Sequence, residues 1–166
     1  MSSSESLPGD EWNDLVRQVV RAAVQVHVGI GPGFLEAFYQ KGLVVELTSR
    51  GLHCSSEVEV PVSYRGVFLG RQRLDLVVAG RAIVELKAVS KLDAAHFAQV
   101  RSYLAASGLP VGLLFNFAGP KVECRRVYSV GDRVRFQGLR ALRVSAPAEP
   151  TVSDVSGPGA AESAAV

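Results

Sequence analysis

Two short apolar runs, Arg73-Leu74-Asp75-Leu76-Val77-Val78 and Ala82-Ile83-Val84-Glu85-Leu86-Lys87, are joined by Ala79-Gly80-Arg81 and carry Asp75, Glu85 and Lys87 inside them. Runs this short, bounded by a glycine-containing loop, read as a β-hairpin. Side chains alternate along a strand, so Glu85 and Lys87 share one face while Val84 and Leu86 share the other. A three-residue loop over 79–81, with Gly80 supplying the positive φ, pairs Val78 with Ala82 and sets Asp75 opposite Glu85. A two-residue loop would slip the register by one and turn Asp75 to the wrong face. The hairpin therefore predicts a polar cluster of Asp75, Glu85 and Lys87. Leu74, Leu76, Val84 and Leu86 are expected on the opposite, buried face.

Two carboxylates facing each other across a strand pair repel. One of them should hold its proton to unusually high pH unless a cation intervenes. A hard divalent cation such as Mg²⁺ resolves the conflict, because it takes carboxylate oxygen. Lys87, one strand repeat along, is placed to orient or help deprotonate a water, or to stabilise charge on a phosphate. The plain alternative is a set of solvated charges on a sheet face, with Glu85 and Lys87 as an exposed pair.

Around this hairpin the chain alternates helical and extended patterns. Asp10 is the expected N-cap of a helix over 11–28, with Trp12, Leu15, Val16, Val19, Val20, Ala23 and Val24 on one apolar face. Gly29-Ile30-Gly31-Pro32-Gly33 breaks it. This stretch follows a helix and lacks a Lys-Ser/Thr pair, so it does not read as a nucleotide loop. A second helix is expected over 34–50, with Leu35, Phe38, Tyr39 and Leu43 facing the core and Gly51 as its stop. Glu36 falls in its first turn, where a negative charge is favourable in any case. A strand over 53–60 should end at Pro61, and Arg65-Gly66 marks a turn flanked by Val62-Ser63-Tyr64 and Val67-Phe68-Leu69. Asp93 is a good N-cap for a helix over 94–107 with Gly108 just beyond. Phe97, Val100, Tyr103 and Leu104 form its apolar stripe, with His96 and Gln99 beside it. Residues 111–117 are almost wholly apolar, as in a strand buried on both faces, and 121–128 make a last strand. The crossover from residue 87 through the helix to residue 111 should be parallel and right-handed.

A carboxylate followed by Glu-x-Lys on the next strand resembles the PD-(D/E)xK nuclease superfamily, with Leu74 where that name has Pro. A second resemblance covers more of the chain. Gly33-Phe34-Leu35-Glu36-Ala37-Phe38-Tyr39 reads G-x-x-E-x-x-Y. It is followed by Pro61-Val62-Ser63-Tyr64, Arg73-Leu74-Asp75-Leu76, Glu85-Leu86-Lys87-Ala88, His96-Phe97-Ala98-Gln99, Tyr103-Leu104 and Gly112-Leu113-Leu114-Phe115-Asn116-Phe117. This order is similar to the GxxExxY family, grouped with the same superfamily, over about residues 11–128. Ala118 departs from the Gly usual there. The resemblance implies an α/β restriction-endonuclease-like sandwich, a mixed central β-sheet flanked by helices. It implies Glu36, Asp75 and Glu85 as ligands for Mg²⁺ or Mn²⁺. Lys87 would activate water, and Gln99 would position that water or a phosphate. Tyr39, Arg73, His96 and Tyr103 would be substrate contacts.

A length of 166 residues with 48% hydrophobic and 20% charged residues describes a globular chain with a real core. The expected layout is a disordered N-terminus over 1–9, a nuclease-like domain over 10–128, an extension over 129–143 and a disordered tail over 144–166. The tail holds Glu149, Asp154 and Glu162 without Lys or Arg, which leaves residues 1–143 at +5 against +2 for the whole chain. A mildly basic body is compatible with a phosphate partner. Arg125, Arg126, Arg133, Arg135, Arg140 and Arg143 gather near its end, where a solubilising surface explains them as well. No apolar run reaches the roughly 18–20 residues of a membrane span. No secretion signal is visible, and Cys54 and Cys124 show no zinc spacing, so free thiols and a cytoplasmic place are expected. The leading expectation is a Mg²⁺-dependent nuclease acting on DNA, or on RNA, alone or with a homodimer or protein partner. The competing expectations are a non-catalytic nucleic-acid- or protein-binding module on the same fold, a hydrolase of another substrate, and an assembly subunit.

Overall fold

The computed structural model describes residues 10–128, with side chains from residue 13 onward. The expected segments 1–9, 129–143 and 144–166 lie outside the described residues, as do Arg133, Arg135, Arg140 and Arg143. The elements are α1 (Asp10–Ile30), α2 (Glu36–Ser49), β1 (Cys54–Tyr64), β2 (Val67–Val78), β3 (Ala82–Lys87), α3 (Ala94–Ser107), β4 (Val111–Asn116) and β5 (Glu123–Tyr128). The five strands lie in chain order across one sheet. β3 and β4 are parallel through α3, and the other neighbours are antiparallel. The sheet is therefore mixed, as expected, and β4 is buried along its whole length.

Two hydrophobic clusters sandwich the sheet. On one face Leu15, Val19, Ala23, Val26, Tyr39, Leu43 and Leu47 of α1 and α2 meet Leu76, Val84, Leu86, Leu113 and Phe115. On the other, Val100, Tyr103 and Leu104 of α3 meet Val60, Leu74, Val77, Ile83 and Leu114. Gly112 lets α3 come close, since a Cβ there would lie 2.4 Å from Val100 Cγ1.

The boundaries of α3 match the sequence expectation because both are set locally. The Asp93 carboxylate accepts from Ala95 N at 2.9 Å and His96 N at 3.2 Å, and Gly108 closes the helix in the left-handed region at φ 71°. Elsewhere the structure corrects the expectation. The helix containing Asp10 starts at that residue rather than after it and extends to Ile30, while α2 starts only at Glu36. Leu35 and Phe38, expected in the core, are 73% and 54% exposed. Tyr39 and Leu43 alone of that set are buried, because α2 packs through its 39/43/47 stripe. Pro61 does not end a strand. β1 runs through it to Tyr64, and as an edge strand it tolerates the missing N–H. Residues 54–78 form one long hairpin, turned at Arg65-Gly66 with φ values of 49° and 80°. These are the two positive φ angles that a two-residue primed turn requires.

The long hairpin also changes face partway. Cys54, Leu76 and Val78 pack toward α1 and α2, whereas Val58, Val60 and Leu74 pack toward α3. Residues two apart on a regular strand would share a face. The switch falls at Glu57 and Asp75, which the ladder skips, and Glu57 has φ 52°. Leu74 consequently leaves the Leu76–Val84–Leu86 face where alternation had placed it.

Candidate active site

The loop over 79–81 has the expected length, and Val78↔Ala82, Val77↔Ile83 and Leu76↔Val84 pair as expected. The ladder stops there. Asp75 does not continue as a backbone partner of Glu85; its Oδ2 instead accepts from Leu86 N at 2.9 Å. The carboxylate takes the place of a strand carbonyl, so the kink at Glu57 and Asp75 is what swings an acid against the edge of β3. Gln40 on α2 holds the kink from the other side, donating from Nε2 to Asp75 O at 3.0 Å.

Glu85 lies in the middle of the sheet, paired with Leu114, and is 2% exposed. Lys87 Nζ donates to Glu85 Oε1 at 2.8 Å. Glu85 Oε2 is buried without a hydrogen-bond partner. Burial, and then the Asp75 charge, push the Glu85 carboxyl up to about 7, against the opposing pull of Lys87. At Lys87 burial acts to lower the pKa, but the hydrogen bond and charge of Glu85, with Glu36 and Asp75 beyond, outweigh it and leave the ammonium raised. Lys87 is therefore a cation throughout the neutral range.

Glu36 arrives from the first turn of α2. Gly31 and Gly33 adopt φ of 77° and 97°, which side chains rarely tolerate, and this tight entry starts the helix beside the sheet. Glu36 Oε1 then accepts from Ala88 N at 3.1 Å, one residue past Lys87. Tyr39, expected as a substrate contact, is fully buried. Its hydroxyl donates to Gly31 O at 2.8 Å and accepts from Phe34 N at 3.2 Å, and its ring stacks on Phe117 at 4.4 Å. Tyr39 thus holds the glycine loop that delivers Glu36.

α3 supplies the roof. Gln99 Nε2 donates to Tyr103 Oη at 2.6 Å. Burial, and then the Glu85 charge, raise the Tyr103 phenol, which stays neutral. His96 is part of the helix cap, its Nδ1 accepting from Asp93 N at 3.0 Å. Arg73 is exposed and lies 3.7 Å from Glu57. The structure thus brings Asp75, Glu85, Lys87 and Tyr103 within electrostatic reach of one another and Glu36 within reach of Lys87, with Gln99 hydrogen-bonded to Tyr103. It leaves His96 and Arg73 engaged elsewhere.

Two supporting residues escaped the sequence reading. One is Gln40. The other is Asn116, buried at the end of β4, whose Oδ1 accepts from Val89 N at 3.1 Å and whose Nδ2 donates to Val89 O at 2.8 Å. Asn116 pins the chain just after Lys87. An Asn ending an apolar strand was the available signal, since a polar side chain there needs partners.

Among the described residues, no group of three or more His, Cys, Asp or Glu is arranged to hold a metal ion. The reason is local: Asp75 and Glu36 each spend an oxygen on a backbone N–H, and Lys87 covers Glu85 Oε1. The orphaned Glu85 Oε2 and the all-oxygen acids around it nevertheless suit a hard divalent cation.

These features, a kinked strand bearing an acid and a neighbouring strand bearing Glu-x-Lys, define a class of nuclease-like α/β domain. The family model of the PD-(D/E)XK nuclease superfamily matches residues 13–127, and the chain belongs to that superfamily. The three helices and five-stranded mixed sheet of the described residues are the restriction-endonuclease-like form of the α/β fold. No curated protein matches it significantly. A solved structure titled "Crystal structure of SSO0001" is similar at 18% identity and a TM-score of 0.48. The match covers 75% of this chain and 60% of that one, so the chain spans less than two thirds of that protein's length. No helix among the described residues is long and apolar enough to cross a membrane.

Proposed function

We propose that the protein is a metal-dependent nuclease that hydrolyses phosphodiester bonds, with DNA as the favoured substrate, and that it falls in the GxxExxY branch of its superfamily. The observation that carries this reading is Glu85: a buried carboxylate, one oxygen orphaned, beside Asp75 and joined to Lys87. The neighbouring Asp75 carboxylate can only accept, so this oxygen needs either a proton shared with Asp75 or a cation, and an acceptor left unpaired there would cost about 1–3 kcal/mol.

Asp75 and Glu85 would hold Mg²⁺ or Mn²⁺, with Glu36 completing the carboxylate set. When bound, the cation would supply positive charge to the scissile phosphate and favour ionisation of a nearby water. Lys87, already charged, orients the attacking water through its N–H donors and offsets charge that builds on the phosphate. It does not take the proton while its ammonium is raised. Tyr103 and Gln99 offer polar groups from the roof to position the water or a phosphate oxygen. Gln40 and Asn116 keep Asp75 and Lys87 in place.

The test is cleavage of supercoiled, linear and single-stranded DNA and of RNA with Mg²⁺, Mn²⁺ or EDTA. Wild-type protein should cut only with metal. Lys87→Ala and Asp75→Ala should lose at least about 10²-fold in rate, the scale of one lost electrostatic group, with unchanged circular dichroism. Metal-dependent cleavage surviving in Lys87→Ala would sink the assignment.

A further inference from the structure

Beside the acidic cluster lies an open cleft of about 520 Å³, lined by Gly33, Phe34, Leu35, Glu36, Ala37, Ala88 and Ala118. Its size falls in the roughly 300–1,000 Å³ range of small-molecule sites. Three of its walls are alanines, which leave room, and Phe34 gives it an aromatic side. That ring is 44% exposed, and Leu35 beside it is 73% exposed. Large apolar groups held at the surface beside polar chemistry mark a binding site.

Phe34 is also a fixed ring. It meets Phe38 edge-on at 5.8 Å and Tyr39 edge-on at 6.5 Å. Its backbone N–H is held by the Tyr39 hydroxyl, and Tyr39 is itself stacked on Phe117. The exposed aromatic therefore rests on a rigid buried column. Glu36, two residues on, and Ala88, the residue after Lys87, form both the cleft wall and the border of the cluster.

We propose that this cleft receives an unpaired nucleobase of the strand being cut, stacked on Phe34, so that the preferred substrates are single strands and frayed or flapped ends rather than closed duplex. A base inside a duplex has both faces covered and must be unstacked before any side chain reaches them. An exposed ring two residues from Glu36 rewards the substrate whose bases are already free. Stacking on an aromatic ring is tolerant of sequence, because every base has a π-face. This inference rests on the nuclease reading for its location, and its test does not depend on cleavage.

The experiment uses a single-stranded oligonucleotide carrying 2-aminopurine, with Ca²⁺ or EDTA to prevent turnover. Binding to wild-type protein should alter the probe's fluorescence through stacking. Phe34→Ala should weaken binding about tenfold or more, and Phe34→Trp should restore it. Ala118→Leu, which fills the cleft, should weaken it without touching the acids. Blunt duplex should bind more weakly than single strand to wild type, and that gap should close in Phe34→Ala. Unchanged binding in both Phe34→Ala and Ala118→Leu overturns the inference. So does a Phe34→Ala protein that keeps oligonucleotide binding and loses only a dimer, which would assign the face to a second copy of the chain. Phe34-dependent stacking in a protein that never cuts would instead overturn the nuclease reading and leave the base subsite standing.

Discussion

Glu85 is held in an expensive state, and the cost has a pH dependence. Its carboxyl titrates at about 7 in the fold against 4.5 for the free group. Between those values the native protein binds a proton that the unfolded chain has released, so stability falls as pH rises. The contribution is fully present below pH 4.5, declines through 7 and is flat above it. The shift corresponds to about 3 kcal/mol, an order of magnitude set by 1.36 kcal/mol per pKa unit. Urea unfolding at pH 4.5, 6 and 8 should show this decline in metal-free wild type, and Glu85→Gln should flatten it. An unchanged slope in Glu85→Gln would assign the effect to other groups. Two facing acids already imply a raised carboxyl from the sequence. Burial, which strand register does not reveal, is the larger cause, ahead of Asp75.

The elements differ in how much of them was legible, and the difference follows the range of the forces that set them. α3 was readable to the residue because Asp93 and Gly108 act within one turn of its ends. The long β1–β2 hairpin was not, because its face switch at Glu57 and Asp75 answers to both core clusters at once. Alternation alone then mislaid Leu74, and the proline rule broke at Pro61 a strand that its edge position lets run on. α2 misled in the same way: its apolar residues outnumber the stripe that packs, leaving Leu35 and Phe38 outside. The contact between α3 and β4 gives a sharp test of element packing. Gly112→Ala would drive a Cβ into the stiff, buried Val100. Overpacking of this kind typically costs 1–3 kcal/mol, so thermal unfolding should fall by several degrees. Adding Val100→Ala should recover part of the loss. A Gly112→Ala protein as stable as wild type would mean that α3 is free to move away from the sheet, and with it Gln99 and Tyr103.

At the scale of the molecule, the acids that the sequence groups by strand register (Asp75 and Glu85) and by family resemblance (Glu36) are gathered by three separate devices. A strand kink carries Asp75, the sheet centre carries Glu85, and a helix start carries Glu36. Of the long-range supports, Gln40 had no local signature and Asn116 showed only as a polar residue ending an apolar strand, since each makes its key bond to a segment far along the chain. This division of labour predicts how a cation and the fold are linked. Binding at Asp75 and Glu85 requires Glu85 to lose its proton, so the stabilisation by metal should grow as pH rises toward 7 and level off above it. At ten times its Kd a cation should add roughly 1.4 kcal/mol to stability at pH 8. At pH 5, where Glu85 keeps its proton, the same concentration should add little. Thermal unfolding with Mg²⁺, Mn²⁺ and EDTA at both pH values reads this directly, without any substrate. Asp75→Ala should abolish the gain at pH 8. Lys87→Ala should enlarge it, because the ammonium no longer competes for Glu85 Oε1. A gain equal at both pH values, or one retained in Asp75→Ala, would place the cation away from this cluster.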